Sequence, residues 1–168
     1  MVFVLPESEA ESFYKKHARA VYRLALSIVK EPGEAEDVLQ TVFMKALTYE
    51  GSLSRIQNPR AWLATVAKNT ALNHLRSKGR EMPSEKLPDT DTVWNSLEDK
   101  LIGKEETEKV LACLNREERL ILMLHYVDGY TFKEIAALFH QPLGTVQSTG
   151  HRAKQKVRKA LKDSVVKE

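Results

Sequence analysis

The chain has 168 residues, 42% of them hydrophobic, with 26 Lys and Arg against 23 Asp and Glu, a net charge of +3 and a pI near 8.9. That length accommodates one ordinary domain or two small ones, and the apolar fraction argues against global disorder. The lone cysteine, Cys113, excludes an intrachain disulfide framework and a CxxC zinc site. No apolar run approaches the roughly 20 residues that span a bilayer. Met1 to Leu5 is too short for a signal peptide and is followed at once by Glu7, Glu9 and Glu11, so a cytoplasmic protein is expected.

Glycine and proline cluster between periodic segments, which suits an all-α chain. The first helix starts at Ser8, with Glu11 completing a capping box, and carries Phe13, His17, Val21, Leu24, Ala25 and Ile28 at helical spacing. Pro32-Gly33 breaks it. A second helix runs from Glu34 to Leu47 with Val38, Leu39, Val42, Phe43, Ala46 and Leu47 as its stripe, and Glu34, Glu36 and Asp37 suit its positive end. Gly51 to Gln57 reads as a loop. Asn58 caps a third helix with Pro59 at its first position, running to about Lys78, and Gly79 stops it.

Residues 81–103 change character, with Pro83, Pro88, six carboxylates and two cations. They read as an acidic, mobile linker between two small helical domains, residues 8–80 and 104–163, in which Val93, Trp94 and Leu97 form a short helix or a sticky patch. The second domain shows four short helical patterns. The first covers Lys104 to Leu114 and places Cys113 in a buried stripe with Val110, Leu111 and Leu114. Asn115 with Glu118 caps the next, which runs to Tyr126, and Asp128-Gly129 turns the chain. Thr131 with Glu134 opens the third. After a Gln141–Gly144 turn, the last starts near Thr145 with Val146, Gly150, Ala153, Val157 and Leu161 on one face.

Charge is concentrated in two carboxylate-free blocks. One holds Arg55, Arg60, Lys68, Arg76, Lys78 and Arg80; the other holds Arg152, Lys154, Lys156, Arg158, Lys159 and Lys162. Each is either a solvated helix face or a surface for a polyanion. Solvated faces usually mix signs, which favours the polyanion. Thr131 to Leu161 has the layout of a helix-turn-helix, whose second helix enters the major groove, and Ala136 and Ala137 permit close helix approach. Facing outward on that helix are Gln147, Ser148, Thr149, His151, Arg152, Gln155, Lys156 and Lys159, suited to base edges and phosphates. An ordinary helical hairpin with a soluble face is the alternative. In the third helix, cations interleave with Trp62, Asn69, Thr70, Asn73 and His74, a composition that grips single-stranded DNA. Trp62 serves there as a stacking ring or, at helical spacing from Val66, as a core residue.

Three segments in order resemble the extracytoplasmic-function group of the sigma-70 family of RNA polymerase sigma factors. Glu36-Asp37-Val38-Leu39-Gln40-Thr41-Val42-Phe43-Met44-Lys45-Ala46 is similar to the polymerase-binding segment of region 2. Pro59 to Arg76 is similar to the adjoining promoter-melting segment. Gly129-Tyr130-Thr131-Phe132-Lys133-Glu134-Ile135-Ala136 with Gly144-Thr145-Val146-Gln147-Ser148 resembles region 4. The resemblance covers about Phe13 to Leu161 and implies a sigma factor that directs promoter-specific initiation. It implies that Glu36, Asp37, Leu39, Gln40, Phe43 and Lys45 dock on the clamp helices of core RNA polymerase. Promoter DNA at the −10 element falls to Arg60, Trp62, Lys68, Asn69, Thr70, Asn73, Arg76, Lys78 and Arg80, with Asn69 and Asn73 receiving a flipped base. The −35 element falls to Thr131, Thr145, Gln147, Ser148, Thr149, His151, Arg152, Gln155 and Lys156. The linker is implied to thread toward the RNA exit path.

Departures from the family pattern are Gln147 where a cation is common, Thr149 where Arg is common, Gly150 in place of an apolar residue and Asn73 in place of Asp. A helical glycine costs about 1 kcal/mol relative to Ala, so weaker or chemically different −35 contacts are expected. An anti-sigma partner covering both DNA-binding domains is implied, with no membrane contact except through it. No cofactor or metal is expected. Two competitors remain: a stand-alone helix-turn-helix regulator, and an enzyme such as a nuclease using His17, His74, His125, His140 and His151. These histidines are scattered through the sequence without HxxxH or paired-carboxylate context, so no catalysis is expected.

Overall fold

The computed structural model describes residues 7–49, 55–81, 88, 90, 91, 93, 94 and 104–166. Among them regular structure is helical only, in two compact units, Met1–Ser84 and Glu85–Glu168.

The first unit packs three helices, α1 (Glu7–Val29), α2 (Pro32–Leu47) and α3 (Pro59–Ser77), each against the other two. Leu24, Ala25 and Ile28 of α1, Val38 and Val42 of α2, and Leu63, Ala67 and Ala71 of α3 are buried together in its core. Each large aliphatic side chain so buried contributes about 1.5–3 kcal/mol, and the alanines of α3 let its backbone come close. Lys30 adopts a left-handed φ of 66° and ends α1. The Glu31 side chain then accepts from Glu34 N at 2.9 Å, so α2 starts at Pro32, two residues before the expected Glu34. Asn58 caps α3 as expected, its Oδ1 accepting from Ala61 N at 3.1 Å. At the other end Gly79, at φ 66°, supplies the left-handed residue of a Schellman stop. There Gly79 N donates to Arg76 O and Arg80 N to Leu75 O, both at 3.1 Å. This reversal brings Arg80 back toward α2.

The second unit contains α4 (Lys104–Ala112), α5 (Arg116–Ile121), α6 (Phe132–Leu138) and α7 (Leu143–Val166), with α5 continuing through a π-helical stretch at Leu122–Val127. Both capping boxes expected in this unit form, Asn115 with Glu118 and Thr131 with Glu134, whereas the one expected at Ser8 and Glu11 does not: α1 already includes Ser8, and Glu11 pairs with Lys15 at 2.8 Å. His140, at φ 52°, turns the chain out of α6 while Gln141 N donates to Ala136 O at 2.9 Å. Helix α7 begins at Leu143, two residues before the expected Thr145, with Val146 N bonded to Pro142 O. Along α7, Ala153, Val157 and Ala160 pack on Val110 and Leu114 beside α4.

Three expectations need correction. Cys113 is exposed, not buried. Helix α4 ends at Ala112 in a tightened turn, Cys113 N bonding to Val110 O at 3.3 Å, and Cys113 Sγ lies 2.9 Å from the same carbonyl at the edge of the stripe. Close approach of α6 and α7 depends on Gly150 as well as Ala136: Gly150 is buried, whereas Ala137 is exposed. Part of the expected linker is packed rather than loose, although the short helix expected at Val93 and Trp94 does form, with Trp94 N bonded to Thr90 O at 3.0 Å. Pro88, Thr90, Val93 and Trp94 are buried, and Asp91 pairs with Arg119, whose guanidinium also donates twice to Leu111 O. Leu97 and the carboxylates of Glu85, Asp89, Glu98 and Asp99 lie outside the described residues, as does most of the Gly51–Gln57 loop.

Candidate nucleic-acid and polymerase interfaces

On α2, Glu36, Asp37 and Gln40 are exposed along one face and Leu39 is half-buried. Phe43 is not on that face. It is 5% exposed and meets the rings of Phe13 and Tyr14 edge-on at 6.0 and 4.8 Å, so its aromatic surface belongs to the core. Lys45 turns toward α3, its Nζ 3.2 Å from Thr70 Oγ1. The sequence reading missed Met44, which is 63% exposed. Its i+4 spacing from Gln40 was the available signal.

Helix α3 divides its expected DNA contacts into three groups. Asn69, Asn73 and Arg76 are exposed at successive turns of one face, with Arg76 Nη1 donating to Asn73 Oδ1 at 3.3 Å. Arg60, Trp62 and Lys68 are half-buried. Trp62 rests on Tyr49 with ring centroids 5.1 Å apart, and burial lowers the Lys68 ammonium from its ordinary pKa. Thr70 is buried and holds Lys45, which corrects its placement on the nucleic-acid face.

Lys78 and Arg80 are committed to a carboxylate. Glu34, only 6% exposed at the start of α2, accepts from Lys78 Nζ on one oxygen at 3.1 Å and from Arg80 Nη1 on the other at 2.6 Å. His74 Nε2 lies 3.9 Å from the same carboxylate. The Lys78 hydrogen bond, with that from Arg80, outweighs burial and holds Glu34 below the ordinary carboxylate pKa. Beyond its place at the positive end of α2, Glu34 therefore ties that end to the end of α3.

In the second unit Gln147, Ser148, His151, Arg152 and Gln155 are exposed on α7, and Thr145 is exposed at its start. Thr149 is 2% exposed, against its expected outward position. Its hydroxyl donates to Thr145 O at 2.9 Å and accepts from Arg152 Nη2 at 3.2 Å, so it orients a candidate contact. Thr131 uses its hydroxyl to cap α6, accepting from Glu134 N at 3.1 Å. The Lys156 ammonium lies 3.0 and 2.9 Å from the two oxygens of Glu118, a side chain 1% exposed as a residue. Further along α7, Lys154, Arg158, Lys159 and Lys162 are exposed.

The five histidines are not assembled into one centre. His17 is buried beside Phe13, His74 lies near Glu34, His125 and His151 flank Phe132, and His140 forms the turn. Among the described residues no group of three or more His, Cys, Asp or Glu could hold a metal ion, and no helix is long and apolar enough to cross a membrane.

Residues 13–81 match the family model for sigma-70 region 2, and residues 104–157 match that for sigma-70 region 4. The first match leaves a stand-alone helix-turn-helix regulator without an account of residues 13–81. The RNA polymerase sigma-E factor of Streptomyces coelicolor is 31% identical over 159 residues, covering 91% of this chain and 86% of that protein. The RNA polymerase sigma-H factor of Pseudomonas aeruginosa is 29% identical over 159 residues, covering 87% and 82%. Among solved structures, the sigma factor RpoE of Bartonella quintana, crystallised with the anti-sigma factor NepR, shares the fold. It has a TM-score of 0.56 and 21% identity, covering 90% of this chain and 96% of that one.

Proposed function

The chain belongs to the sigma-70 family of RNA polymerase sigma factors, in its extracytoplasmic-function group, and from that premise we propose how its own residues direct core polymerase to promoters. The exposed face of α2, with Glu36, Asp37, Gln40 and Met44, meets the polymerase, while Leu39 and the buried Phe43 stiffen the helix behind it. Asn69 and Asn73 hydrogen-bond an unstacked base of the −10 element, with Arg76 at the adjoining phosphate. Unpairing a base costs a few kcal/mol, which selective hydrogen bonds to its edge offset. On α7, Gln147, Ser148, His151, Arg152 and Gln155 meet the −35 element.

The observation that carries this reading is that each matched segment presents one polar face, the Asn69–Asn73–Arg76 row on α3 and the Gln147–Gln155 row on α7, above a separately packed core. The protein acts by binding and catalyses nothing itself, and its place of action is the cytoplasm, where core polymerase and promoter DNA are. The test is transcription with purified core polymerase. Promoter-specific initiation should depend on the added protein, and Asn69→Ala with Asn73→Ala should cut open-complex formation while leaving core binding intact. Equal loss of core binding would remove these residues from the −10 role.

An anti-sigma factor is the second partner. The fold is shared with a sigma factor crystallised with one, and a partner that covers both polar faces would silence the protein without unfolding it. Only through such a partner does the chain reach a membrane. Co-purification from the native cell with polymerase alone would count against it.

A further inference from the structure

We propose that Gly150 is the positioning residue that seats the reading helix α7. The inference rests on the −35 role given to α7. A Cβ built at Gly150 would lie 2.5 Å from Phe132 Cε1, 2.7 Å from Phe132 Cζ and 3.4 Å from Ile121 Cγ2. Carbon atoms in contact settle at about 3.5–4.0 Å, so one methyl requires a movement of about 1 Å. The Phe132 ring cannot absorb that movement cheaply. It is stacked on His125, at 3.9 Å between centroids and 19° between planes, and His125 Nδ1 is held 2.6 Å from Tyr130 O. Beyond Gly150 on the same face of α7, Ala153 is fully buried, and Lys156 is bound to Glu118, so the helix is pinned there and yields in its first turns.

The helix must therefore yield, and it carries the reading face with it. Ser148, His151 and Arg152 lie within two residues of Gly150, and Arg152 is aimed by Thr149, the neighbour of Gly150. Base-edge hydrogen bonds tolerate about 0.5 Å of misplacement. The stack thus sets how α7 meets the groove without any of its members having to touch a base.

The experiment compares the full-length protein with Gly150→Ala and with Gly150→Ala/Phe132→Ala, on matched promoters with and without the −35 element. Gly150→Ala should keep wild-type core affinity and helical content, lose about tenfold of its −35-dependent initiation and change its base preferences there. Removing the ring in the double variant should restore part of that loss. Unchanged −35 dependence and preference in Gly150→Ala would overturn the proposal, as would an equal loss on both promoters. If Gly150→Ala does not fold, Phe132→Leu tests the same seat: a selective fall in −35 dependence supports it and wild-type behaviour overturns it. A wild-type protein indifferent to the −35 element would instead overturn the functional reading, and the proposal with it.

Discussion

Among the described residues each unit buries one carboxylate, and the two are held differently. Glu118 is anchored within its own turn, since its backbone N–H is capped by Asn115 and its Oε2 accepts from Asn115 N at 3.0 Å, and it then takes Lys156. Glu34 has a local cap too, but its side chain spends both oxygens on the far end of α3, on Lys78 and Arg80. Both tie two helices together through half-exposed cations, but only the Glu118 side chain is also anchored in the cap of its own helix. In both, cations that a charge count assigns to DNA are already engaged within the protein. The polyanion surface is accordingly smaller than the two basic blocks suggest and richer in amides and hydroxyls.

Breaking the Glu118 pair from the cation side should give the largest effect on stability. Lys156→Met leaves a buried carboxylate with only Asn115 as partner. Because Lys156 is itself half-exposed, the loss should be about 2–3 kcal/mol, below the full cost of orphaning a buried charge. Trp94, in a Trp62→Phe background, reports unfolding of the second unit. The salt dependence of promoter binding should not change at temperatures where the variant is folded. A slope reduced by about one would make Lys156 a phosphate contact instead.

Caps should come next, and they sharpen the same contrast. Asn58→Ala and Thr131→Ala each remove one side-chain acceptor from a helix start, costing about 1 kcal/mol. Asn115→Ala should exceed both, because Asn115 also holds the turn that presents Glu118. Equal losses from urea titrations at all three sites would deny Glu118 its special place.

These caps were legible because they are local. Asn58 before Pro59, Asn115 with Glu118, and Thr131 with Glu134 are fixed by spacing within one turn. The exposed polar rows on α3 and α7 followed from helical periodicity in the same way. Misplaced residues were those whose environment depends on a second helix. Periodicity put Thr149 on the outer face, but whether that edge of α7 is covered depends on the neighbouring helices. Gly150 looked like a weakness in α7, because nothing local announces that Phe132 fills the space beside it. Thr70 is buried in the same manner, beside Lys45, whereas Phe43 lies where its apolar stripe put it and only the resemblance had it docking.

Acid titration should show the smallest effect and separates the units once more. Burial first, then Lys16 and Arg60, lowers the pKa of His17 below 6.5. The unfolded chain therefore takes up this proton first, so His17 supports folding fully above pH 6.5 and loses that support as pH falls toward its depressed value. Glu34 is also depressed, below 4.5, chiefly by Lys78. Its contribution is complete above pH 4.5 and disappears as pH falls through its lowered value. The first unit should thus weaken in two acid windows, read from Trp62 fluorescence in a Trp94→Phe background. His17→Phe should remove the upper step and Glu34→Gln the lower. If His17→Phe keeps the full loss below pH 6.5 and above the Glu34 step, the upper step comes from another group.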